Sequence, residues 1–178
     1  MWRRFNLFRR WRMKQFLSQY RGTKHVVGQT SYAILQATGE DVKGILEVEK
    51  AVYLGETPWT KSIFIREFHS KQPHLYLIAK SNERIVAFAG IRIFLDDGHI
   101  TNIAVDPTFQ KQQLGQCLME ELELFARKLH CETLSLEVRM GNIDAQRFYR
   151  RLGFVGKRIK PNYYHEVGED GLDMIKRL

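Results

Sequence analysis

The chain has little of what defines several protein classes. Its two cysteines, Cys117 and Cys131, have no CxxC pair and no histidine-rich spacing around them. That pattern offers neither a disulfide framework nor a zinc site, so no metal is expected and a reducing cytoplasm fits the chain. No apolar run approaches the ~20 residues that span a bilayer, and no apolar core with a small-residue cleavage site follows the first arginines. Stable membrane insertion is therefore not expected. Internal repeats and low-complexity tracts are missing too, and at 178 residues one domain with a full core is expected.

Acid is missing from one end. Residues 1 to 30 hold eight Lys or Arg and neither Asp nor Glu, and 28 − 8 leaves 20 bases against 20 acids in the remainder. The whole formal charge of +8 thus belongs to the arm, and the body is neutral. Aromatics alternate with the arginines, but laid on a helix at ~100° per residue they form no clean apolar stripe. Phe5, Phe16 and Tyr20 share a side with Arg9, whereas Phe8 and Trp11 point elsewhere. The arm, 1–30, is read as a basic extension with no structure assigned, preceding a domain over 31–178. It suits a solvated tail or a weak contact with a polyanion, either RNA or an anionic membrane. Ser18 is its single serine, which disfavours an organelle-targeting segment.

From Ser31 the patterning is regular. SYAILQA reads as a strand, and Thr38 with Asp41 forms a capping box for a helix that buries Val42, Ile45, Leu46, Val48, Glu49 and Val52. The loop GETPW ends at Thr60, an N-cap for a second helix through Phe68. HLYLIAKS, IVAFAGIRIF and HITNIAV follow as three antiparallel strands, with Gly90 marking a bulge in the middle one. A helix over 114–129, the strand ETLSLEV, a helix over 144–152 and strands near 154–159 and 172–176 close the chain. This order gives a mixed α/β sheet covered by helices. It is not doubly wound, because antiparallel hairpins dominate its first half.

Two stretches carry chemistry. In the first, Ile100 to Val105 lead through Asp106 and Pro107 into Gln110, Lys111, Gln112, Gln113, Leu114 and Gly115 at a helix start. Amides there lack intrahelical acceptors and the helix dipole adds roughly half a positive charge, so a pyrophosphate can bind main-chain donors, with Lys111 adding a cation. An ordinary connection with Gly115 chosen for packing would show the same residues. In the second stretch, LEVRMGNIDAQRFYRRLGF, alternation turns Glu137 to the face opposite Leu136 and Val138. Glu137 has two open fates: pairing with Arg139 along the strand surface, or facing a cleft where desolvation raises its pKa toward that of a general base. Phe148 is expected in the core. Tyr149 is either a packed aromatic with a satisfied hydroxyl or a site phenol.

The first stretch resembles the acetyl-CoA loop, Q/RxxGxG/A, of the GNAT acetyltransferase superfamily. Gln110 and Gly115 match its ends, and Gln113 stands at the middle glycine, where positive φ and close approach to phosphate are easiest for glycine. The second stretch, with NIAVDP, Pro58-Trp59, Asn162-Tyr163-Tyr164 and EDGLDMI, resembles the ribosomal-protein N-alpha-acetyltransferases of that superfamily, from about Ser31 to Leu178. The resemblance implies the GNAT (acyl-CoA N-acyltransferase) fold, a mixed, mostly antiparallel central sheet flanked by helices.

It further implies that Glu137 is the general base and Tyr149 the general acid that protonates the departing thiolate of CoA. Asn142 would hold the pantetheine arm; Ile103, Ala104 and Val105 would bind acetyl-CoA through main-chain groups; and Lys111, Gln112, Gln113, Leu114, Gly115 and Gln116 would grip its pyrophosphate. Pro58, Trp59, Tyr163 and Tyr164 could frame a slot for a peptide N-terminus, with Glu166, Glu169 and Asp170 attracting a basic one. The expected acceptor is the N-terminus of a protein, a ribosomal protein above all. The alternatives are a lysine side chain or small amine, and a binding module whose loop no longer holds the cofactor because of Gln113.

Overall fold

The computed structural model describes the main chain of residues 2–53, 55 and 57–178, and side chains at 8, 11–53, 55 and 57–178. Glu56 of the GETPW loop and the side chains of Phe5 and Arg9 lie outside the described residues.

The arm is ordered as α1 (Trp2–Gln19) and β1 (Thr23–Val27). Its structure, left open by the sequence, follows from a local feature. The apolar stripe is short and late in the helix: Met13, Phe16, Leu17 and Tyr20 follow i, i+3, i+4, i+7 spacing and pack on the main core. Phe16 meets Phe125 edge-on at 5.2 Å between ring centroids, and Arg12 donates to the Lys128 carbonyl at 2.9 Å. β1 then adds an antiparallel edge strand to β2 (Thr30–Gln36).

The capping box at Thr38 forms as expected. Its Oγ1 accepts from Glu40 N while Asp41 accepts from the Thr38 amide, starting a single 3-10 turn that runs into α2 (Val42–Val52). Thr60 caps α3 (Lys61–Phe68) by accepting from Ile63 N. The meander β3 (His74–Ser81), β4 (Arg84–Phe94) and β5 (Asp97–Val105) leads through a 3-10 turn into α4 (Leu114–Lys128). β6 (Thr133–Arg139), α5 (Ile143–Arg151), β7 (Val155–Tyr164) and β8 (Glu169–Arg177) complete the chain.

All eight described strands form one sheet in the order β1-β2-β3-β4-β5-β6-β8-β7, antiparallel except at β5–β6. Its two faces are covered by different helices. Leu118, Leu122 and Phe125 of α4 fill one core with Leu77, Ile91 and Leu134, while Val42, Ile45 and Phe64 of α2 and α3 fill the other with Ile78 and Phe88. No helix among the described residues is long and apolar enough to cross a membrane.

One irregularity shapes everything that follows. The β4–β5 register shifts between Gly90 and Ile91, leaving Thr101 of β5 without a ladder partner. A side chain at Gly90 would sit 2.2 Å from the Tyr76 ring, and Tyr76 in turn holds Thr101 by a 3.0 Å hydroxyl contact. The bulge expected at Gly90 is thus present, and bulges bend strands. β5 and β6 pair only from Asp97↔Thr133 to His99↔Ser135, and beyond that they part.

Candidate active site

The parting of β5 and β6 opens the sheet. Asp106 N donates to the Val86 carbonyl at 2.9 Å, which makes Val86 and Asp106 a hydrogen-bonded pair of the ladder. Such pairs alternate in an antiparallel ladder, so Ala104 and Asn102 also turn their main-chain groups to β4. Ile103 and Val105 turn theirs into the gap. Of the three β5 residues expected to use their main chain, Ala104 is therefore committed to the sheet. The Val105 carbonyl accepts from Gln110 Nε2 at 3.2 Å, which ties the start of the bend to the strand end.

The bend itself is left-handed at two positions. Lys111 has φ +62° and Gln113, the N-cap of α4, has φ +61° and ψ +9°. Gln113 thus takes the conformation for which glycine was expected, so the departure from the family's glycine does not abolish the loop geometry. Gly115 sits where an added Cβ would be 3.3 Å from Phe148 and 3.7 Å from Val105, bringing the first turn of α4 close to both β5 and α5. The first amides of α4 point away from the helix body, and Cys117 N is the first to be satisfied within it, by Gln113 O at 2.9 Å. Most side chains of the bend are engaged elsewhere. Leu114 is buried in the core, Gln116 donates to Glu120 at 2.8 Å, and Gln112 is held from behind by residues of the arm hairpin. Lys111 is exposed at the bend.

Glu137 lies on the other side of the gap and has neither fate foreseen for it. It does not pair with Arg139; its carboxylate is hydrogen-bonded to Lys160 of β7 and lies 3.2 Å from His99 Nε2 on β5. Burial alone would raise its pKa, but the hydrogen bonds and charges of His99 and Lys160 outweigh burial and hold it at about 2. The expectation of a raised pKa is therefore corrected. His99 is itself fixed, because its Nδ1 lies 2.9 Å from Ser135 Oγ, whose hydroxyl donates to Asp97.

Tyr149 is buried at the centre of α5. Burial first, then the nearby phenols of Tyr53 and Tyr164, push its pKa up, so it stays protonated. Tyr164 carries the link to Glu137: burial, Tyr163, Glu137 and Tyr53 raise its pKa in that order. Asn142 caps α5, its Oδ1 accepting from Ala145 N at 3.0 Å.

The acceptor side is assembled from two directions. A second break in register between Lys160 and Tyr164 lifts Asn162 and Tyr163 out of the β7–β8 ladder. The Tyr163 and Tyr164 rings meet edge-on at 5.1 Å, with Lys160 over one ring and Arg139 over the other. Asp170 is occupied by the Asn162 amide at 2.7 Å, which leaves Glu166 and Glu169 for any attraction of a basic peptide. From α2, buried Glu49 accepts from Trp59 N at 3.3 Å, which ties Trp59 to the helix. Burial pushes the Glu49 carboxyl up to about 7 against that one hydrogen bond. Trp59 packs on Phe64 at 5.3 Å, and Pro58 is exposed beside it.

Three contributors escaped the sequence reading, His99, Lys160 and Gln146, while Glu49 was placed on the buried face of its helix but given no role. Gln146 is buried and donates to the carbonyls of Arg139 and Met140 at 3.2 and 2.8 Å, closing the turn between β6 and α5. A polar residue on the inward stripe of an amphipathic helix was the available signal for Gln146 and Glu49. Nothing local marks His99 or Lys160.

The family model described as acetyltransferase (GNAT) family matches residues 40–154. A ribosomal protein bS18-alanine N-acetyltransferase of Haemophilus ducreyi is 36% identical over 127 residues, 70% of this chain and 83% of that protein. N-alpha-acetyltransferase RimI of Mycobacterium tuberculosis is 33% identical over 141 residues, 77% of this chain and 87% of its own. Among solved structures, the ribosomal-protein-S18-alanine N-acetyltransferase of Escherichia coli superposes with a TM-score of 0.73 at 31% identity, covering 82% of this chain and 93% of that one.

Proposed function

Because the chain belongs to the acetyltransferase (GNAT) family, we propose that it moves an acetyl group from acetyl-CoA to the N-terminal α-amine of a protein, an alanine-starting ribosomal protein such as S18. One observation carries this reading. The gap between β5 and β6 presents the main-chain groups of Ile103 and Val105 along one wall and ends at the left-handed start of α4. A pantetheine chain fits the strand-like wall as an added strand would, and a diphosphate fits the helix start.

The peptide amine then attacks the thioester carbonyl directly. The new C–N bond forms as the carbonyl π pair moves to oxygen, where the Val105 amide donates to the oxyanion. Collapse breaks the C–S bond, and Tyr149, kept protonated, delivers its proton to the departing thiolate. Before it attacks, the incoming ammonium gives one proton to Glu137, which passes it to solvent; the nitrogen loses a second as the amide forms, which restores the Tyr149 phenol. A carboxylate held near 2 takes the first proton only in transit from an α-amine with a pKa near 8. His99, 3.2 Å from one Glu137 oxygen, offers the proton a way out along hydrogen-bonded neighbours. Lys160 must yield its place on Glu137 to the incoming ammonium. That exchange of like charges favours a compact, basic chain end over a neutral one.

The test is acetyl transfer from acetyl-CoA to an alanine-starting basic peptide, run beside the same peptide with a blocked N-terminus and beside polyamines. Transfer confined to the free α-amine is expected. Preference for lysine side chains or polyamines would overturn the assignment.

A further inference from the structure

We infer that His25 and Tyr32 clamp Gln112 and thereby hold the diphosphate bend in its left-handed geometry, making the basic arm a positioning part of the donor site. The inference rests on reading the 110–116 bend as the grip on acetyl-CoA. Lys111 and Gln113 carry side chains at φ +62° and +61°, a conformation that costs any residue with a Cβ energy unless its surroundings hold it. Gln112 lies between them and is caught twice. Its main-chain oxygen accepts from His25 Nε2 at 3.0 Å, and its side-chain oxygen accepts from the Tyr32 hydroxyl. A carbonyl can only accept, so the imidazole carries a proton on Nε2 whether or not it is charged.

The two donors act as one unit. His25 and Tyr32 are direct cross-strand partners in the β1–β2 hairpin, 87 and 80 residues from Gln112 along the chain. Tyr32 is fully buried and meets Phe109 edge-on at 6.4 Å, so the clamp is rooted in the core beneath the bend. Both donors, on β1 and β2, lie outside the residues matched by the family model. Released from the clamp, Lys111 and Gln113 relax toward negative φ, and the amides of 113–116 cease to converge.

The experiment uses the full-length protein with His25→Phe and Tyr32→Phe, each alone and combined with Gln113→Gly. Calorimetric titration with CoA is expected to show Kd rising about five- to tenfold for each single variant. With glycine at 113 the same substitutions cost about twofold or less, because glycine adopts positive φ unaided. The KM for acetyl-CoA follows Kd, while kcat at saturation moves little. Unchanged Kd in both single variants, or an equal loss with and without Gln113→Gly, overturns the clamp. Hydrogen exchange at the Cys117 amide, which donates to the Gln113 carbonyl at 2.9 Å across the bend, reads the clamp without any cofactor. Faster exchange in Tyr32→Phe supports it even if the wild-type protein took up no CoA, in which case the acetyl-CoA reading alone would fall; unaltered exchange sinks it.

Discussion

The two walls of the gap are built from different materials. On the β5–α4 wall the groups offered to a ligand are main-chain: the amides of Ile103 and Val105 and the first turn of α4, with side chains such as Leu114 and Gln116 employed elsewhere. On the other side the proposed mechanism uses side chains: Glu137 of β6, bonded to Lys160 of β7 and near His99 of β5, and Tyr149 of α5. A wall of amides grips any molecule carrying the right backbone-like chain and diphosphate, and is altered mainly by changes in shape. A wall of ionisable groups depends on charge, so single-atom substitutions suffice to change it.

The sharpest break of that contrast is on the side-chain wall. Glu137→Gln and Tyr149→Phe are each expected to lower kcat by roughly 10²- to 10⁴-fold with the KM for acetyl-CoA nearly unchanged. Retention of wild-type turnover by both would show that neither takes part in proton transfer. On the amide wall, shape should matter instead. Gly115→Val places branched carbons against Phe148, where even a Cβ would be 3.3 Å away. Overpacking there should weaken CoA binding about tenfold, by 1–3 kcal/mol of strain; calorimetry showing wild-type affinity would refute the tight-approach argument.

Two buried carboxylates sharpen the comparison through pH. Glu137, lowered to about 2, contributes stability that is present above its unfolded value of 4.5 and is lost as pH falls toward 2. Glu49 has the opposite sign: raised to about 7, it favours the fold below 4.5, and that contribution is lost as pH rises from 4.5 through 7. Glu49→Gln should therefore stabilise the protein by roughly 2 kcal/mol at pH 8 and by little at pH 4, as read by denaturant melts at both values. Equal effects at the two pH values would contradict the raised pKa. The smallest effect belongs to Lys111→Met. If amides and dipole do the gripping, the KM for acetyl-CoA should rise only about threefold, and less in high salt; a hundredfold rise would mean that the bend works by side-chain charge after all.

Much of the fold was legible from local signals. The Thr38 and Thr60 caps, the strand HLYLIAKS and the bulge at Gly90 stand as expected, since each depends on residues close in the chain. The arm's structure stayed open because its stripe, from Met13 to Tyr20, is short and confined to the end of α1 and the residue after it. For the site, the residue types were readable but their state was not. Glu137 looked like a carboxylate awaiting a raised pKa, yet its level is set by His99 and Lys160, which lie on two other strands.

Residue order alone was enough for the α/β architecture and the helix start at Leu114, because periodicity, caps and glycines act within a few residues. Three things required the folded chain: the parting of β5 from β6, the ion pairs that keep Glu137 acidic, and the hairpin contact that holds Gln112. Each depends on partners tens of residues apart, and a Coulomb or hydrogen-bond energy is a function of distance in space, which no local pattern encodes.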